Sequence, residues 1–509
     1  MTEVHHVEKL PTGIVGLDSI SMGGLPKGRT TLLAGSAGSG KTILAAQFLV
    51  QGIAERGESG VFVTFEESPE AIRSNLLSMG WDISSWEAEG RFAFVDASAQ
   101  VGEETTLVVG DYDLGALLAR IEHAVTQVQA TRVSLDSLGA VFTRFGDSRT
   151  VRNELFRIST ILKRLKVTAV MTAERTDEYG SISREGVEEF VTDNVIILRN
   201  ALEEEKRRRT LEILKFRGTN HQKGEYPFTI LPEDGLVVVP LSDIELEYES
   251  SNLRINSGSS ELDQMCGGGF FRDSIILVSG ATGTGKTLMV TEFIAGGVQN
   301  EEKCLLFAFE ESREQFFRNA SGWGVDLRPM EKAGHLKVVC EYPEVSSLED
   351  RLVHMRNVLK SFRPNRVAID SLSALERVAT RKSFREFVIG ITSFLKQMET
   401  AGLFTSTAPT LLGGESVTEA HISTLTDSII LLRYVEMFGE MRRGLTVLKM
   451  RGSQHDKNIR EFTIDASGMH LGKAFHNVAG ILAGNPTQVE ASEIQRLSGL
   501  FSPDQEGHS

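Results

Sequence analysis

TTLLAGSAGSGKTILAAQFLVQGIAE, residues 30–55, decides how this chain is read. Its first six residues are an apolar, β-rich run, and its last fourteen carry a helical hydrophobic period. Between them, GSAGSGKT (35–42) fits the pattern G-x-x-x-x-G-K-[ST]. The same arrangement returns at 280–287 as GATGTGKT. Glycines let such a loop curl until its N–H groups face phosphate oxygens. Lys41 and Lys286 then reach the outer phosphates, and the hydroxyls of Thr42 and Thr287 suit Mg²⁺. The helix that follows turns its partly positive end on the same anion. A single match is open to the plainer reading of a tight turn without a ligand; two matches in equivalent settings count against it.

Around these loops the chain is written twice. TGIVGLDSISMGGLPKG (12–28) matches SGSSELDQMCGGGFFRD (257–273), VFVTFEES (61–68) matches LLFAFEES (305–312), and RVSLDS (132–137) matches RVAIDS (366–371). KFRGTNH (215–221) matches KMRGSQH (449–455). The offset drifts from 245 at the loop glycines to 234 at the last two pairs. Constant order with slowly shrinking offset means tandem duplication with small loop deletions. Within each half, short apolar runs alternate with helix-period segments. LFRISTILKRL, for example, puts Leu155, Ile158, Ile161, Leu162 and Leu165 on one face. The predicted fold class is α/β: two tandem domains, each a mostly parallel sheet flanked by helices, with the motifs at the ligand edge where the strands end. The expected boundaries are 1–240 for the first domain, 241–253 for a polar linker, 254–481 for the second domain and 482–509 for a mobile tail.

Bulk properties fit. The 509 residues are too many for one core. Composition is that of a soluble globular protein (41% hydrophobic, 24% charged), and no apolar run is long enough to cross a bilayer. The N-terminus lacks a signal-peptide core, so a cytoplasmic location is expected. Cys266, Cys304 and Cys340 carry no C-x-x-C spacing and read as buried apolar residues. No histidine pattern predicts a protein-built zinc site. A net charge of −15 and 7% aromatics count against passive coating of nucleic acid.

Several residues carry phosphoryl-transfer chemistry. Asp136 and Asp370 each end an apolar strand and suit the metal-side acid of a phosphate loop; the alternative is a helix N-cap. Glu66–Glu67 and Glu310–Glu311 follow a strand in both halves. A carboxylate there can take the proton of an attacking water or hydroxyl, and two neighbours raise each other's proton affinity. Their alternative is an acidic pair favoured by a helix dipole. Lys215-x-Arg217 and Lys449-x-Arg451 lie late in each half, where nothing in their own domain is expected to need two cations. In ring ATPases a neighbouring subunit supplies such cations to the γ-phosphate; the alternative is an exposed basic strand. The halves differ just before the last apolar strand. Anchored on Asp193 and Asp427, Ser423 and Thr424 stand where the first half has Glu189 and Phe190. Only the second half can accept phosphate there, although a strand start or a local backbone hydrogen bond would also explain the pair.

Both phosphate loops, both FEES dyads, MCGGGFF (265–271), AIDSLSAL (368–375), HISTLTD (421–427) and K-M-R-G-S-x-H-D-K (449–457) resemble the KaiC family of circadian clock proteins, over nearly the whole chain. The resemblance implies a double-ring homohexamer with ATP and Mg²⁺ between subunits, a slow ATPase in the first domain, and a serine/threonine autokinase and autophosphatase in the second. By matching position it implies phosphorylation of Ser423 and Thr424, with Thr418 bonding to phosphorylated Thr424. Glu310 becomes the kinase base and Mg²⁺-side carboxylate, supported by Glu311, while Glu66 and Glu67 serve the first site. Thr42, Asp136, Thr287, Glu310 and Asp370 face the metal. Nucleotide contacts fall to Ser36, Ala37, Gly38, Ser39, Gly40, Lys41 and Thr42 in the first loop, and to Ala281, Thr282, Gly283, Thr284, Gly285, Lys286, Thr287 and Leu288 in the second. Trp323 lies beside the second nucleotide, with Ser78 as its counterpart. Lys215, Phe216, Arg217, Thr219 and His221 reach across the first ring. Arg443, Lys449, Met450, Arg451, Ser453, His455 and Lys457 do so across the second.

Departures from the family matter for partners. Glu419 replaces a frequent aspartate. LPEDG (231–235) alters a nucleotide-side turn. Residues 96–117 resemble the region used for KaiB, so a KaiB-like partner is expected. The tail after GNPTQV is only loosely similar to the one that engages KaiA, so a KaiA-like partner is left open. The competing reading is a RecA-like DNA-dependent ATPase. It would need basic channel loops, yet DEYGSISREGVEE (177–189) has more acids than bases.

Overall fold

The computed structural model describes residues 7–98, 114–139, 148–182, 188–203, 206–239, 250–408, 422–437, 439–476, 478–481 and 487–488. Thr418 and Glu419, most of the 96–117 segment, residues 183–187 and nearly all of the tail lie outside them. Two compact units divide at Asp243/Ile244.

In the first unit the strands are β1 (Thr30–Gly35), β2 (Gly60–Thr64), β3 (Phe92–Asp96), β4 (Arg132–Asp136), β5 (Thr168–Glu174), β6 (Asn194–Glu203), β7 (Lys206–Phe216), β8 (Glu225–Leu231) and β9 (Gly235–Val238). Its principal helices are α1 (Lys41–Arg56), α2 (Pro69–Leu77), α3 (Leu114–Val128) and α4 (Ser148–Arg164). The second unit repeats the strands as β10 (Ile275–Gly280), β11 (Cys304–Ala308), β12 (Leu336–Cys340), β13 (Arg366–Asp370), β14 (Ala401–Thr407), β15 (Ser428–Met437), β16 (Glu440–Met450), β17 (Arg460–Asp465) and β18 (Gly468–Ala474). Helices used below are α5 (Ser260–Met265), α6 (Lys286–Gln299), α7 (Arg313–Gly322), α8 (Leu348–Phe362) and α9 (Arg381–Gln397).

Each unit builds a nine-stranded sheet of one topology. The orders are β9-β8-β7-β6-β1-β5-β4-β2-β3 and β12-β11-β13-β14-β10-β15-β16-β17-β18. Six strands are parallel, and the last three strands of each unit extend the sheet antiparallel. Helices cover both faces, so the central strands are buried throughout, as GVFVT in β2 and CLLFA in β11 are. On α4, Leu155, Ile158 and Leu162 are buried and Ile161 packs beside them. Cys266 and Cys304 are buried as expected, while Cys340 at the end of edge strand β12 is only half-buried. Among the described residues no helix is long and apolar enough to cross a membrane.

The arginines that open RVSLDS and RVAIDS close the gap between sheet and helix. Arg132 and Arg366 are 1% exposed. Arg366 donates to the carbonyls of Phe293 (3.0 Å) and Asn256 (2.7 Å) and pairs with Glu302 at 2.5 Å. Arg132 repeats this with Phe48 (2.9 Å), Pro11 (2.8 Å) and Glu58. A guanidinium so satisfied ties the entry segment, the phosphate-loop helix and the sheet together.

Candidate nucleotide sites and the hydroxyl pair

The two G-x-x-x-x-G-K-T loops join β1 to α1 and β10 to α6. Gly40 and Gly285 have φ of 91° and 110°. A Cβ on either would stand 2.7 Å from Ile230 Cδ1 or 2.9 Å from Ile464 Cδ1. Only glycine turns the chain there beneath the antiparallel strands. Ala37–Gly38 and Thr282–Gly283 are exposed at the loop tips, while Ser39 and Thr284 are buried and donate back to the Ser36 and Ala281 carbonyls at 2.8 Å. The Lys41 ammonium meets the Ser36 carbonyl at 3.0 Å, and that of Lys286 meets Gly280 and Ala281 at 2.9 and 3.0 Å. Burial lowers the pKa of both lysines, against the pull of nearby carboxylates. Both ammonium groups are thus held at the phosphate-loop edge by carbonyls of their own loops.

The acids converge on the same edge. Asp370 accepts from Thr287 Oγ1 at 2.8 Å and from Thr405 Oγ1 at 2.5 Å, and burial pushes its carboxyl above the usual range. Asp136 accepts from Thr172 Oγ1 at 2.5 Å. The N-cap alternative fails in the second unit, where Ser371 caps the helix by accepting from Ala374 N. The FEES dyads stand directly before the N-caps Ser68 and Ser312, a position where a helix dipole also favours an acidic pair. Glu66 accepts from Ser137 Oγ at 2.5 Å. Glu310 accepts from Ser371 Oγ at 3.2 Å and from Arg377 Nη2 at 2.7 Å. Glu67 and Glu311 face Asn75 and Asn319 from α2 and α7, at 3.3 and 3.1 Å. Burial raises the Glu311 pKa, with Asp370 and then Glu310 adding to it. The neighbour effect expected for the dyad is therefore the smaller cause.

Thr287, Asp370 and Glu310 are hard oxygen donors suited to Mg²⁺, which usually takes one or two carboxylates and leaves the rest to phosphates and water. Among the described residues, no group of three or more His, Cys, Asp or Glu is placed to hold a metal by itself.

The remaining motifs do not lie on this edge, which corrects the expectation of one ligand edge. β15 runs parallel to β10, with Ser428 opposite Ile276 and Leu432 opposite Gly280. The 3₁₀ turn Ile422–Thr424 precedes β15, at the sheet's other end. β16 is antiparallel, so its last residues return there, Lys449 opposite Ile429. Ser423 is half-buried and Thr424 exposed. Lys449 Nζ donates to the carbonyls of Ser423 (2.8 Å) and Thr426 (2.6 Å), and Arg451 Nη2 to that of Thr424 (2.9 Å). In the first unit Lys215 Nζ binds the carbonyls of Glu189 (2.7 Å) and Thr192 (3.0 Å). The domain thus does need the lysine of K-x-R: it closes the turn before the last parallel strand. Phe216, Thr219 and His221, like Met450, Ser453, His455 and Lys457, continue from this far edge.

One further placement departs from expectation. Arg443 pairs with Tyr434, whose hydroxyl abuts Gly283, so Arg443 belongs to its own loop's edge and not with Lys449 and Arg451. Its counterpart Arg209 likewise reaches the Gly38 carbonyl at 3.4 Å. Ser78 and Trp323 hold the same place, as the C-caps of α2 and α7, although α7 is one residue longer. Arg209 and Arg377 were missed by sequence reasoning; the 234-residue offset to Arg443 was a usable signal for the first, and nothing local marked the second.

Two nucleotide-binding loops, each joining the central strand of a parallel sheet to a helix, with acids at the neighbouring strand ends, define a tandem RecA-like P-loop ATPase. The family description "ATPase: KaiC" matches residues 10–243 and 255–474, and the chain belongs to that family. It is 68% identical over 499 residues, 98% of each chain, to the circadian clock protein KaiC3 of a Synechocystis species. It is 53% identical to the circadian clock oscillator protein KaiC of Thermostichus vulcanus, covering 97% of this chain and 94% of that one. Against KaiC of Synechococcus elongatus it is 52% identical, covering 99% and 97%.

Proposed function

We propose that both units bind ATP at their phosphate-loop edges, that the first hydrolyses it, and that the second transfers its γ-phosphoryl group to Ser423 and Thr424 of an adjacent protomer and later removes it. The observation that carries this reading is the separation of loop and hydroxyls. From Ile275 to Gly280 the strand advances about 16 Å, so a chain's own loop and its own hydroxyl pair face opposite ways. A ring in which the far edge of one protomer meets the loop edge of the next, most simply a double-ring homohexamer, supplies the acceptor.

In that seam Lys286 and the loop amides hold the phosphates. Glu310 takes the proton of the attacking hydroxyl while Glu311 keeps a high proton affinity beside it. The serine or threonine oxygen bonds to phosphorus as the bridging oxygen leaves on ADP. Thr287, Asp370 and Glu310 would hold Mg²⁺, which would neutralise charge on the phosphates. Exposed Arg451 extends from the far edge toward the neighbour's phosphates, and Arg217 does so in the first unit. Glu66 and Glu67 direct water in place of a hydroxyl. The region 96–117 is the candidate surface for a KaiB-like partner; engagement of a KaiA-like partner through the tail is left open.

Incubation of the chain with γ-labelled ATP and peptide mapping tests the acceptor assignment. Label is expected in the peptide spanning 423 and 424 and absent from Ser423→Ala with Thr424→Ala. Equal incorporation by that double variant would defeat the assignment.

A further inference from the structure

The two units fasten the last hairpin of the sheet to the phosphate-loop helix in the same place with different chemistry. In the first unit Gln47, on α1, accepts from Leu236 N at 2.8 Å and donates through Nε2 to the carbonyls of Asp234 (3.1 Å) and Leu236 (3.2 Å). In the second, Glu292 stands at the matching position of α6 and accepts from Met469 N at 2.7 Å. The glycine before each amide, Gly235 and Gly468, has positive φ, and a Cβ there would lie 2.7 or 2.8 Å from the side-chain Oε1. The geometry is one latch, built with an amide once and a carboxyl once. Gln47 has two N–H donors for the turn carbonyls. An ionised carboxylate has none, and a protonated one has a single O–H.

The latch bears on the site. Ile464 and Met469, from the two strands of the β17–β18 hairpin, lie against Gly285 of the phosphate loop, and the Ala466 carbonyl between them lies 3.0 Å from a Cβ built on Gly324, next to Trp323. We propose that Glu292 is a proton-dependent positioning residue: its neutral carboxyl fastens the β17–β18 hairpin against the second phosphate loop, as Gln47 fastens the first unit's hairpin without a proton. The titratable groups that face Glu292 are Glu261 from α5 and His470 from β18, which is itself bound to Asp465 at 3.1 Å. Arg366, beneath α6 on β13, is committed to Glu302 and to backbone carbonyls.

Burial pushes the Glu292 carboxyl up to about 7, with the Met469 amide and then His470 opposing and Glu261 adding. The sign follows. Between the ordinary carboxylate range and about 7, the closed hairpin holds a proton that an opened one releases. Opening therefore becomes easier as pH rises, by up to roughly tenfold per pH unit, and levels off above that window.

Amide hydrogen exchange on the full chain at about pH 5.5 and 7.5, corrected for intrinsic exchange rates, reads this directly. Peptides covering 462–471 and 280–287 should lose roughly tenfold or more of their protection at the higher pH, while 229–238 and 35–42 do not. Glu292→Gln should flatten the second unit's response and keep it protected at both values. Gln47→Glu should create the same response in the first unit. A Glu292→Gln chain with an unchanged pH response, or a Gln47→Glu chain with none, would overturn the proposal.

Discussion

Glu310→Gln combined with Glu311→Gln will lower phosphate incorporation at Ser423 and Thr424 by roughly 10²–10⁴-fold while ATP remains bound. The loop, Lys286 and Asp370 are untouched by the change, so binding of a fluorescent ATP analogue should stay near the wild-type level. What is lost is proton acceptance. Glutamine at 310 keeps an acceptor oxygen for Arg377 and donates its N–H to the Ser371 hydroxyl in place of accepting from it. Glutamine at 311 still accepts from Asn319, and neither can take a proton. The wild-type rate should also fall as pH drops through the raised range of Glu311, whose carboxyl burial keeps harder to ionise than an exposed one. Single-turnover labelling across pH checks both statements. Full incorporation by the double glutamine variant would remove the dyad from the chemistry.

Arg451→Ala and Lys449→Met should fail in different ways. Lys449 is half-buried, and burial lowers its pKa. Its ammonium is taken up by the Ser423 and Thr426 carbonyls. Removing it takes the lysine donor from the Thr426 carbonyl and leaves the Ser423 carbonyl to Thr426 Oγ1 at 3.3 Å, at about 1–3 kcal/mol for a buried group left unpaired. Denaturant unfolding of the second unit should show that loss. The Arg451 side chain is 56% exposed, makes one carbonyl bond and lies 3.8 Å from Asp427. Its loss should cost little stability. If it serves the neighbour's phosphates, the transfer rate should fall by roughly 10³–10⁵-fold, the range for a cation supplied in trans. A stable Arg451→Ala chain with normal transfer would assign the whole K-x-R motif to closing its own turn.

The parts legible in sequence were those whose physics is local. A phosphate loop is eight consecutive residues, and its flanking strand and helix advertise their periods beside it. TTLLAG and GVFVTF became β1 and β2 for that reason. The duplication was equally plain, since it needs only order and offset. What escaped reading depends on register. Nothing in SIILLRY or LTVLKMR says that β16 runs antiparallel and carries Lys449 to the edge opposite Lys286, so the motifs were expected together. The same strand holds Arg443 at one end and Arg451 at the other, and only its pairing with β15 separates them. In sequence Lys449 looks like a spare cation, because its partners are backbone carbonyls more than twenty residues away. Gln47 and Glu292 passed unnoticed in sequence as ordinary polar residues of a helix.

Subunit mixing tests the central claim, that the hydroxyl pair of one protomer is phosphorylated from the loop edge of another. One chain carries Glu310→Gln and Glu311→Gln with its hydroxyls intact; the other carries Ser423→Ala and Thr424→Ala with its dyad intact. Each alone should take up almost no label from γ-labelled ATP. Assembled together, they should incorporate label, and mass analysis should place it only on the chain with the glutamines. A mixture that stays unlabelled after co-assembly is demonstrated, while wild-type chain diluted to a monomer still labels itself, would contradict the account.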